Sequence, residues 1–292
     1  MEFRVDYTPN DPAAFPAWEF KVLRSRYLAS AKALYVYLDA DGVPSFTPGV
    51  MNDLLNLGDS VRALYEAGRG DDLRYVVVGS AIPGMFNMGG DLGYFSEAIM
   101  TQNRRELYAY ARHAIRIIHD IWAGFGHPVV TIALVEGDAL GGGFEAAIAH
   151  NFVLSERNVR LGLPEVTFNL FPGMGATTFL TRRLGGALAE EIIFRGKPYS
   201  GEEMEQLGVV DFLAEDGKGS ETLDAILSND ADATYRRLLA DRDNRQARWQ
   251  VSYEELRRVV DIWAGGCFGA LDADVRHMQK IVGHQKRRIQ AA

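Results

Sequence analysis

The chain has 292 residues, of which 47% are hydrophobic and 24% are charged, and its formal net charge is −8. These values are typical of a soluble globular protein near the upper size limit for one hydrophobic core. The negative charge argues against nucleic acid as a partner, because phosphates repel it unless basic residues cluster on one face. The single cysteine, Cys267, cannot form a disulfide within the chain, so we expect a reducing, cytoplasmic location.

No stretch has the composition of a targeting or membrane-spanning segment. The N-terminus is charged and lacks an apolar core. The apolar run over 129–135 is far shorter than the ~20 residues that cross a bilayer. We therefore expect no membrane partner.

The first half of the chain alternates predicted strands and helices, after an N-terminal stretch that we expect to form a short strand or lie across the surface. β-Branched and aromatic residues over 33–38 predict a strand. Apolar residues at helical spacing predict a helix over 48–67. The apolar run 75–78 predicts a strand buried on both faces. A glycine-rich loop follows, and residues 92–122 predict a long helical region with a break near Thr101.

The alternation continues to about residue 215, where a helical C-terminal part begins. Residues 129–135 and 152–154 predict buried strands, with a helix over 144–149 between them. Further predicted elements are helices over 173–184 and 187–194, a capping box at 200–203 and a short strand within 209–213. This pattern predicts the α/β class, with a main domain over 1–215 and a helical region over 216–292.

Two loops share one design, in which a buried strand leads into glycines and the glycines lead into a helix. They lie at 86–92 and 139–145. Glycine lets the backbone approach a ligand closely, and a helix N-terminus carries unpaired N–H groups with partial positive charge. Two such groups aimed at one point would stabilise an oxygen that becomes negative during a reaction. Either loop alone could be a tight turn, but the matched pair, with Glu145 three residues after Gly142, favours a functional site.

Other glycine and histidine patterns do not match known sites. Residues 137–142 depart from the dinucleotide motif G-x-G-x-x-G, and Gly196-Lys197 is followed by proline instead of the serine or threonine of a phosphate-binding loop. The sequence contains neither G-x-S-x-G nor H-E-x-x-H. His113 and His119 are six residues apart, which is not a metal-ligand spacing on one helix face. We therefore predict no metal.

Three motifs, in their order and spacing, resemble the crotonase, or enoyl-CoA hydratase, superfamily. They are Gly-Asp-Ala-Leu-Gly-Gly-Gly-Phe-Glu-Ala-Ala at 137–147, Leu-Pro-Glu-Val at 163–166 and Phe-Pro-Gly-Met-Gly-Ala at 171–176. Within the superfamily, Phe-Asn-Met-Gly-Gly-Asp-Leu at 86–92 and Phe-Asn-Leu-Phe-Pro-Gly-Met-Gly at 168–175 look like bacterial diffusible signal factor synthases of the RpfF type. The resemblance extends over most of the chain, from about residue 30 to residue 285.

The resemblance implies a spiral of ββα units, with a C-terminal helical part that takes part in trimer formation. It implies that the N–H groups of Gly90 and Gly142 form an oxyanion hole, and that Glu145 and Glu165 act as acid and base. Many isomerases of the superfamily keep only one of these acids, so the presence of both favours hydration or dehydration.

For the signal-synthase branch, the implied reaction is dehydration of a medium-chain 3-hydroxyacyl thioester on acyl carrier protein, followed by hydrolysis to a free cis-2-enoic acid used in quorum sensing. No separate cofactor is expected, because the phosphopantetheine thioester is part of the substrate. The candidate residues for binding the acyl chain are Met85, Leu140, Leu170 and Met174. Most such apolar residues are equally good as core residues, but Leu170 and Met174 flank the motif near Glu165 and are favoured as lining residues. The branch also implies a regulatory protein partner.

Two alternatives remain open at this point. The chain could be an enoyl-CoA hydratase or isomerase of fatty-acid metabolism, which would bind coenzyme A instead of a carrier protein. It could also be a non-catalytic member that acts by binding a partner, although Glu145 and Glu165 argue against this. The sequence does not say which glutamate is the acid, how long the acyl chain is, or whether the assembly is a trimer or a hexamer.

Overall fold

The computed structural model describes residues 15–16, 18–38 and 44–291, and side chains as far as residue 283. The strands are β1 (Leu23–Leu28), β2 (Ala33–Leu38), β3 (Tyr75–Ser80), β4 (Met85–Asn87), β5 (Val130–Val135), β6 (Asp138–Leu140), β7 (Phe152–Glu156), β8 (Arg160–Gly162), β9 (Tyr199–Ser200) and β10 (Phe212–Ala214). The N-terminal prediction falls partly outside the described residues, and its described part contains β1.

The helices are α1 (Pro48–Glu66), α2 (Leu92–Met100), α3 (Arg104–Trp122), α4 (Gly142–Ala149), α5 (Ala176–Leu184), α6 (Gly186–Arg195), α7 (Gly201–Gln206), α8 (Gly219–Ser228), α9 (Ala231–Trp249), α10 (Tyr253–Cys267) and α11 (Asp272–Ala291). Short 3₁₀ turns occupy Gly70–Asp72, Gly124–Gly126 and Pro164–Phe168.

Two sheets organise these elements. The larger sheet has the order β1-β2-β3-β5-β7-β10, and all its strands are parallel except β1, which pairs antiparallel with β2. The smaller sheet has the order β4-β6-β8-β9, with only β9 antiparallel to its neighbour.

The chain builds both sheets at once through a repeated unit. Each unit contributes one strand to the larger sheet, the next strand to the smaller sheet, and then a helix. The three repeats are β3-β4-α2, β5-β6-α4 and β7-β8-α5. The predicted α/β class and the spiral of ββα units are therefore confirmed.

The central strands are buried on both faces, as the continuous apolar runs predict. In β3, Val76 and Val78 face a core shared with α1, α3 and α4, whereas Tyr75 and Val77 face a second core. Helices α8 and α9 complete this second core, for example with Leu223. Successive strand residues point to opposite faces, so one run of sequence supplies both cores.

The predicted break near Thr101 is confirmed, and its cause is local. Helix α2 ends at Met100, and Gln102 takes a positive φ of 54°. Asn103 then caps α3, because its side chain accepts a hydrogen bond from the N–H of Glu106 at 3.2 Å. The predicted capping box at Ser200 is also present.

The C-terminal helices attach to the α/β part through charged groups as well as through the second core. Helix α8 begins against two carboxylates, the half-buried Glu136 and the buried Glu156: Glu136 accepts from the N–H of Ser220 at 2.6 Å, and Glu156 accepts from the N–H of Gly219 at 3.1 Å. Helix α10 runs along α3, and the two are linked by the Arg112–Asp261 ion pair at 3.0 Å. The division at residue 215 as a domain boundary stays a prediction.

Candidate active site

A cavity of about 240 Å³ lies where the two glycine loops meet the 3₁₀ turn Pro164–Phe168. Helices α3 and α10 form its apolar walls, with Tyr110, Ala111 and Ala114 from the first and Val260 and Trp263 from the second. Its lining is mostly apolar, and the carboxyl groups that reach it are those of two glutamates. Such concave, largely apolar cavities with a few polar groups are typical of small-molecule sites.

The backbones of the two glycine loops are in direct contact inside this cavity. Gly89 has a φ of +93°, and a Cβ atom placed on it would lie 2.9 Å from the nitrogen of Gly142. A Cβ atom on Gly142 would lie 3.4 Å from the nitrogen of Gly90. Only glycine permits this approach, which brings the nitrogens of Gly90 and Gly142 close to each other.

Both of these nitrogens carry a free N–H group. Gly142 is the first residue of α4, where a helix leaves its N–H groups without intrahelical acceptors. Within the described part of the chain, neither the N–H of Gly142 nor that of Gly90 finds a hydrogen-bond acceptor, and both glycines line the cavity. The structure thus brings together the two predicted donors, and the arrangement suits one oxygen atom that accepts from both.

Glu145 is almost fully buried one turn further along α4, with 2% of its surface exposed. Its Oε1 accepts hydrogen bonds from the N–H groups of Met174 at 2.7 Å and Ala176 at 3.0 Å, at the start of α5. Burial raises the pKa of Glu145 to about 7, and these backbone hydrogen bonds oppose the rise. A solvent-facing position on the helix is therefore excluded.

Glu165 lies across the same cavity on the 3₁₀ turn Pro164–Phe168 and is also buried, with 8% exposed. Its Oε1 lies 2.8 Å from the position of a Cβ on Gly141, beside the second glycine loop. Its Oε2 is buried and has no hydrogen-bond partner among the described residues. Burial, and then the charge of Glu145, raise the pKa of Glu165 well above its ordinary value.

Ionisation of both carboxyl groups at once is therefore unfavourable. Two buried negative charges in one cavity repel each other and are poorly solvated, so one group stays protonated. The two N–H groups of Met174 and Ala176 favour the charged form of Glu145, whereas burial and the charge of Glu145 favour the protonated form of Glu165.

Three of the four predicted acyl-binding residues line the cavity: Leu140, Leu170 and Met174. Met85 is absent from the lining of this cavity, so a role in acyl binding stays a prediction. It is buried at the first position of β4, in register with Asp138, two residues before the chain turns toward the cavity.

Residues distant in sequence from the glycine loops also line the cavity, and several of them were not predicted. Ile281 of α11 lines it, and α11 is linked to the Glu165 turn where Asn169 donates a hydrogen bond to Asp274 at 2.8 Å. Ala111 and Ala114 carry no signal beyond the helical period of α3. Asn169 does carry a signal in its residue type, because asparagine tolerates a left-handed backbone and Asn169 has a φ of 57°.

The fold and the site define a class of protein: a spiral of ββα units in which paired backbone N–H groups face two buried carboxyls. A sequence profile described as enoyl-CoA hydratase/isomerase matches residues 48–227. The chain belongs to this family, and the crotonase superfamily predicted from the motifs is confirmed.

Known relatives share the fold over nearly the whole chain. The enoyl-CoA hydratase of Bacillus halodurans has a TM-score of 0.69 at 19% identity, covering 93% of this chain and all of that one. The structure of Pseudomonas aeruginosa DspI has a TM-score of 0.63 at 22% identity, covering 86% and 98%. At these identities, the likeness shows the crotonase-like fold.

Sequence similarity to curated proteins is more limited in extent. The mitochondrial methylglutaconyl-CoA hydratase of Rattus norvegicus is 30% identical over 167 residues, which cover 57% of this chain and 47% of that protein. The chain thus spans about half or less of the length of the curated relatives it matches.

Two further observations concern the described residues only. None of their helices combines the length and the apolar character needed to span a bilayer. They also contain no group of three or more histidine, cysteine, aspartate or glutamate side chains placed to hold a metal ion.

Proposed function

We propose that this protein is a dehydratase and thioesterase that converts a medium-chain 3-hydroxyacyl carrier-protein thioester to a free cis-2-enoic acid signal, as in synthases of the RpfF type. The observation that carries the proposal is the pair of buried carboxyls, Glu145 and Glu165, beside the free N–H groups of Gly90 and Gly142. The signal-synthase branch is supported by the motifs at 86–92 and 168–175.

Dehydration begins with loss of a weakly acidic α-proton, which sends charge to the thioester oxygen. The N–H groups of Gly90 and Gly142 hydrogen-bond this oxygen and stabilise the enolate-like state. Removing one such donor typically costs ~3–4 kcal/mol of transition-state stabilisation. The apolar lining strengthens both hydrogen bonds, because little solvent competes for the oxygen.

The two glutamates supply the proton transfers. We assign proton acceptance to Glu145, whose charged form accepts two backbone N–H groups, and proton donation to Glu165, whose pKa is raised well above its ordinary value by burial. Dehydration needs both groups: one takes the proton as the Cα–H bond breaks, and the other protonates the hydroxyl as the Cβ–O bond breaks, so that the double bond forms and water leaves. Each such general acid–base step is worth ~10²–10⁴-fold in rate.

Hydrolysis of the thioester uses the same N–H groups. Water attacks the carbonyl carbon after losing a proton to a glutamate carboxylate, and the tetrahedral oxygen is held by Gly90 and Gly142. The C–S bond then breaks, and the thiol leaves with a proton. The products are the free enoic acid and the phosphopantetheine thiol of the carrier, and no separate cofactor takes part.

The direct test is incubation of the purified protein with a medium-chain 3-hydroxyacyl carrier protein, followed by mass spectrometry. We expect the free enoic acid, which contains one water less than the corresponding free 3-hydroxy acid. If the hydroxyacyl thioester persists while crotonyl-CoA is hydrated under the same conditions, the protein is an enoyl-CoA hydratase.

Substitution of the glutamates tests the acid–base pair. We expect Glu145→Gln and Glu165→Gln each to lower the dehydration rate by at least ~100-fold, since each removes one proton-transfer group. The control is Glu97→Gln, an exposed carboxyl on α2 outside the cavity. Circular dichroism should show the same fold in all three, and full activity in either site variant would end the two-acid proposal.

The second candidate is an enoyl-CoA hydratase or isomerase that binds coenzyme A. It is favoured by the sequence similarity to the methylglutaconyl-CoA hydratase of Rattus norvegicus. A role limited to binding a regulatory partner is less well supported, because it would not require two buried carboxyls at one cavity.

Assembly as a homotrimer through the helical region 216–292 is also part of the proposal, as is a cytoplasmic location. Light scattering of the purified protein measures the assembly. A monomer mass would contradict the trimer.

A further inference from the structure

We propose that Asn87 and Tyr110 are positioning residues that occupy the N–H groups on either side of Gly90 and so leave the Gly90 N–H free to bind a carbonyl oxygen. The inference rests on the proposed function, because it assigns how one of the two donors of that site is held. It concerns residues 88–91 within the first glycine loop.

Asn87 is fully buried at the end of β4 and holds the N–H that precedes Gly90. Its Oδ1 accepts from the N–H of Gly89 at 2.7 Å, two residues further along. This is the local side-chain-to-backbone bond by which asparagine forms tight turns. A Cβ on Gly143 would lie 2.9 Å from the Cβ of Asn87, so Asn87 also packs against the start of α4.

The Nδ2 group of the Asn87 amide indicates why asparagine occupies this position. Its Nδ2 is buried without a partner among the described residues. A buried unsatisfied donor destabilises a protein, so this asparagine is a poor choice for stability alone. The acceptor atom Oδ1 is the part that contributes, because its hydrogen bond to the N–H of Gly89 fixes the direction of the loop.

Tyr110 holds the N–H that follows Gly90. It is buried on α3, and its hydroxyl accepts from the N–H of Asp91 at 3.2 Å while donating to the carbonyl of Phe46 at 2.5 Å. A hydroxyl can do both at once. Burial raises the pKa of Tyr110 far above its ordinary value, so the hydroxyl stays protonated and keeps its donor role.

Together these bonds leave one donor in the loop. The N–H of Met88 is bound by the carbonyl of Pro44 at 2.7 Å, so the N–H groups of residues 88, 89 and 91 are all engaged. Only Gly90 keeps a free N–H among these four, within the described part of the chain, and Gly90 lines the cavity. Holding both neighbours restricts the rotation of the peptide that carries this donor.

The test uses three variants and two matched controls. Asn87→Ala removes the acceptor, Asn87→Ser restores a weaker one, and Tyr110→Phe removes only the hydroxyl. Asn103→Ala loses the same kind of side-chain-to-backbone bond at the start of α3, away from the cavity. Tyr65→Phe loses a tyrosine hydroxyl that donates to the carbonyl of Leu73 at 2.9 Å.

The readout is the carbonyl stretching frequency of a bound ligand, measured by infrared difference spectroscopy. The probe is an octanoyl-pantetheine analogue in which CH₂ replaces the sulfur and the carbonyl carbon is ¹³C. It keeps the carbonyl but cannot be dehydrated or hydrolysed. Hydrogen bonding lowers the carbonyl frequency, so the shift reports the donors directly. A change in protein stability alone would leave this shift unchanged.

We expect the native protein to lower the carbonyl frequency of the probe, and Asn87→Ala and Tyr110→Phe to lose most of this shift. Their kcat should fall about 10- to 100-fold with little change in KM, because a misplacement of ~1 Å at a reacting group costs up to ~100-fold. Asn87→Ser should recover part of both effects. Asn103→Ala and Tyr65→Phe should match the native protein.

An unchanged shift in Asn87→Ala and Tyr110→Phe would overturn the assignment, as would the absence of any shift in the native protein. If Asn87→Ala does not fold, Asn87→Ser and Tyr110→Phe carry the test. A normal shift in the native protein without turnover of the 3-hydroxyacyl substrate would count against the proposed function only, and the positioning assignment would stand.

Discussion

Glu145 and Glu165 are the same residue type in one cavity, and their hydrogen bonds make them chemically different. Glu145 accepts two backbone N–H groups at the start of α5, whereas Oε2 of Glu165 is buried without a partner among the described residues. The first environment stabilises a carboxylate and the second a carboxylic acid. This difference predicts both the pH dependence of activity and the pH dependence of stability.

The rate should fall as the pH drops through about 7. Burial raises the pKa of Glu145 to about 7, so below that value both carboxyls are protonated and the site has no base. Measuring kcat/KM against pH checks this. A profile that stays flat down to about pH 5, near the ordinary pKa of glutamate, would contradict the prediction.

Glu165→Gln should stabilise the protein at pH 8 more than at pH 5. The pKa of Glu165 is raised in the folded state, so between its unfolded and folded pKa values the folded protein binds more protons, and stability falls as the pH rises. Glutamine cannot ionise, so it removes this loss of folding free energy, which is ~1.4 kcal/mol for each unit by which folding raises the pKa. Thermal unfolding of Glu165→Gln and the exposed control Glu97→Gln measures it. An equal change in Tm at both pH values would refute it.

At the scale of elements, the site depends on two strand–glycine–helix connections that touch each other. A Cβ on Gly89 would lie 2.9 Å from the nitrogen of Gly142 and 3.0 Å from the carbonyl oxygen of Leu140. Each connection alone is an ordinary turn into a helix. Their contact places two N–H groups at one point.

Gly89→Ala and Gly84→Ala separate this contact from backbone strain. Both glycines have positive φ, at +93° and +67°, but a Cβ on Gly84 meets nothing within 4 Å. We expect both variants to lose roughly 1 kcal/mol of stability from strain. Only Gly89→Ala should lose activity, by ~100-fold or more, because the added methyl group pushes the loops apart. Chemical denaturation and kcat/KM measure the two effects, and equal activity losses would contradict the contact argument.

At the scale of the whole molecule, the C-terminal helices take part in both cores and in the cavity. Leu223 of α8 belongs to the second core, and Trp263 of α10 lines the cavity. Trp249 at the end of α9 stacks on Trp122 of α3 with a centroid distance of 5.4 Å. The apolar residues in the described part of 216–292 therefore pack against the α/β part, and we expect these helices not to fold alone.

We expect the chain to unfold in urea in one cooperative transition. Fluorescence reports the surroundings of all four tryptophans, among them Trp122 and Trp249, and circular dichroism reports all helices, so both should give the same midpoint. Leu223→Ala should lower both midpoints together, since truncating a buried leucine costs ~2–5 kcal/mol. Two separated transitions, with only the helical one moved by Leu223→Ala, would instead support an independent C-terminal domain.

The sequence by itself was enough to locate the long elements and the candidate groups of the site. Strands β2, β3 and β5 and helices α1 to α4 follow from apolar runs and periodicity, which are local. Both glycine loops, Glu145 and Glu165 also lie in short motifs. Strands β4, β6, β8 and β9 were missed, because segments of two or three residues are too short to show a period.

Only the tertiary structure could decide which residues share the cavity and how the environments of the two glutamates differ. Tyr110, Val260 and Ile281 meet there from distant parts of the chain, while the nearby Met85 does not reach it. The pKa values of the two glutamates depend on burial and on amides about 30 residues away from Glu145. Burial and long-range hydrogen bonds exist only once the chain has folded, so no local pattern encodes them.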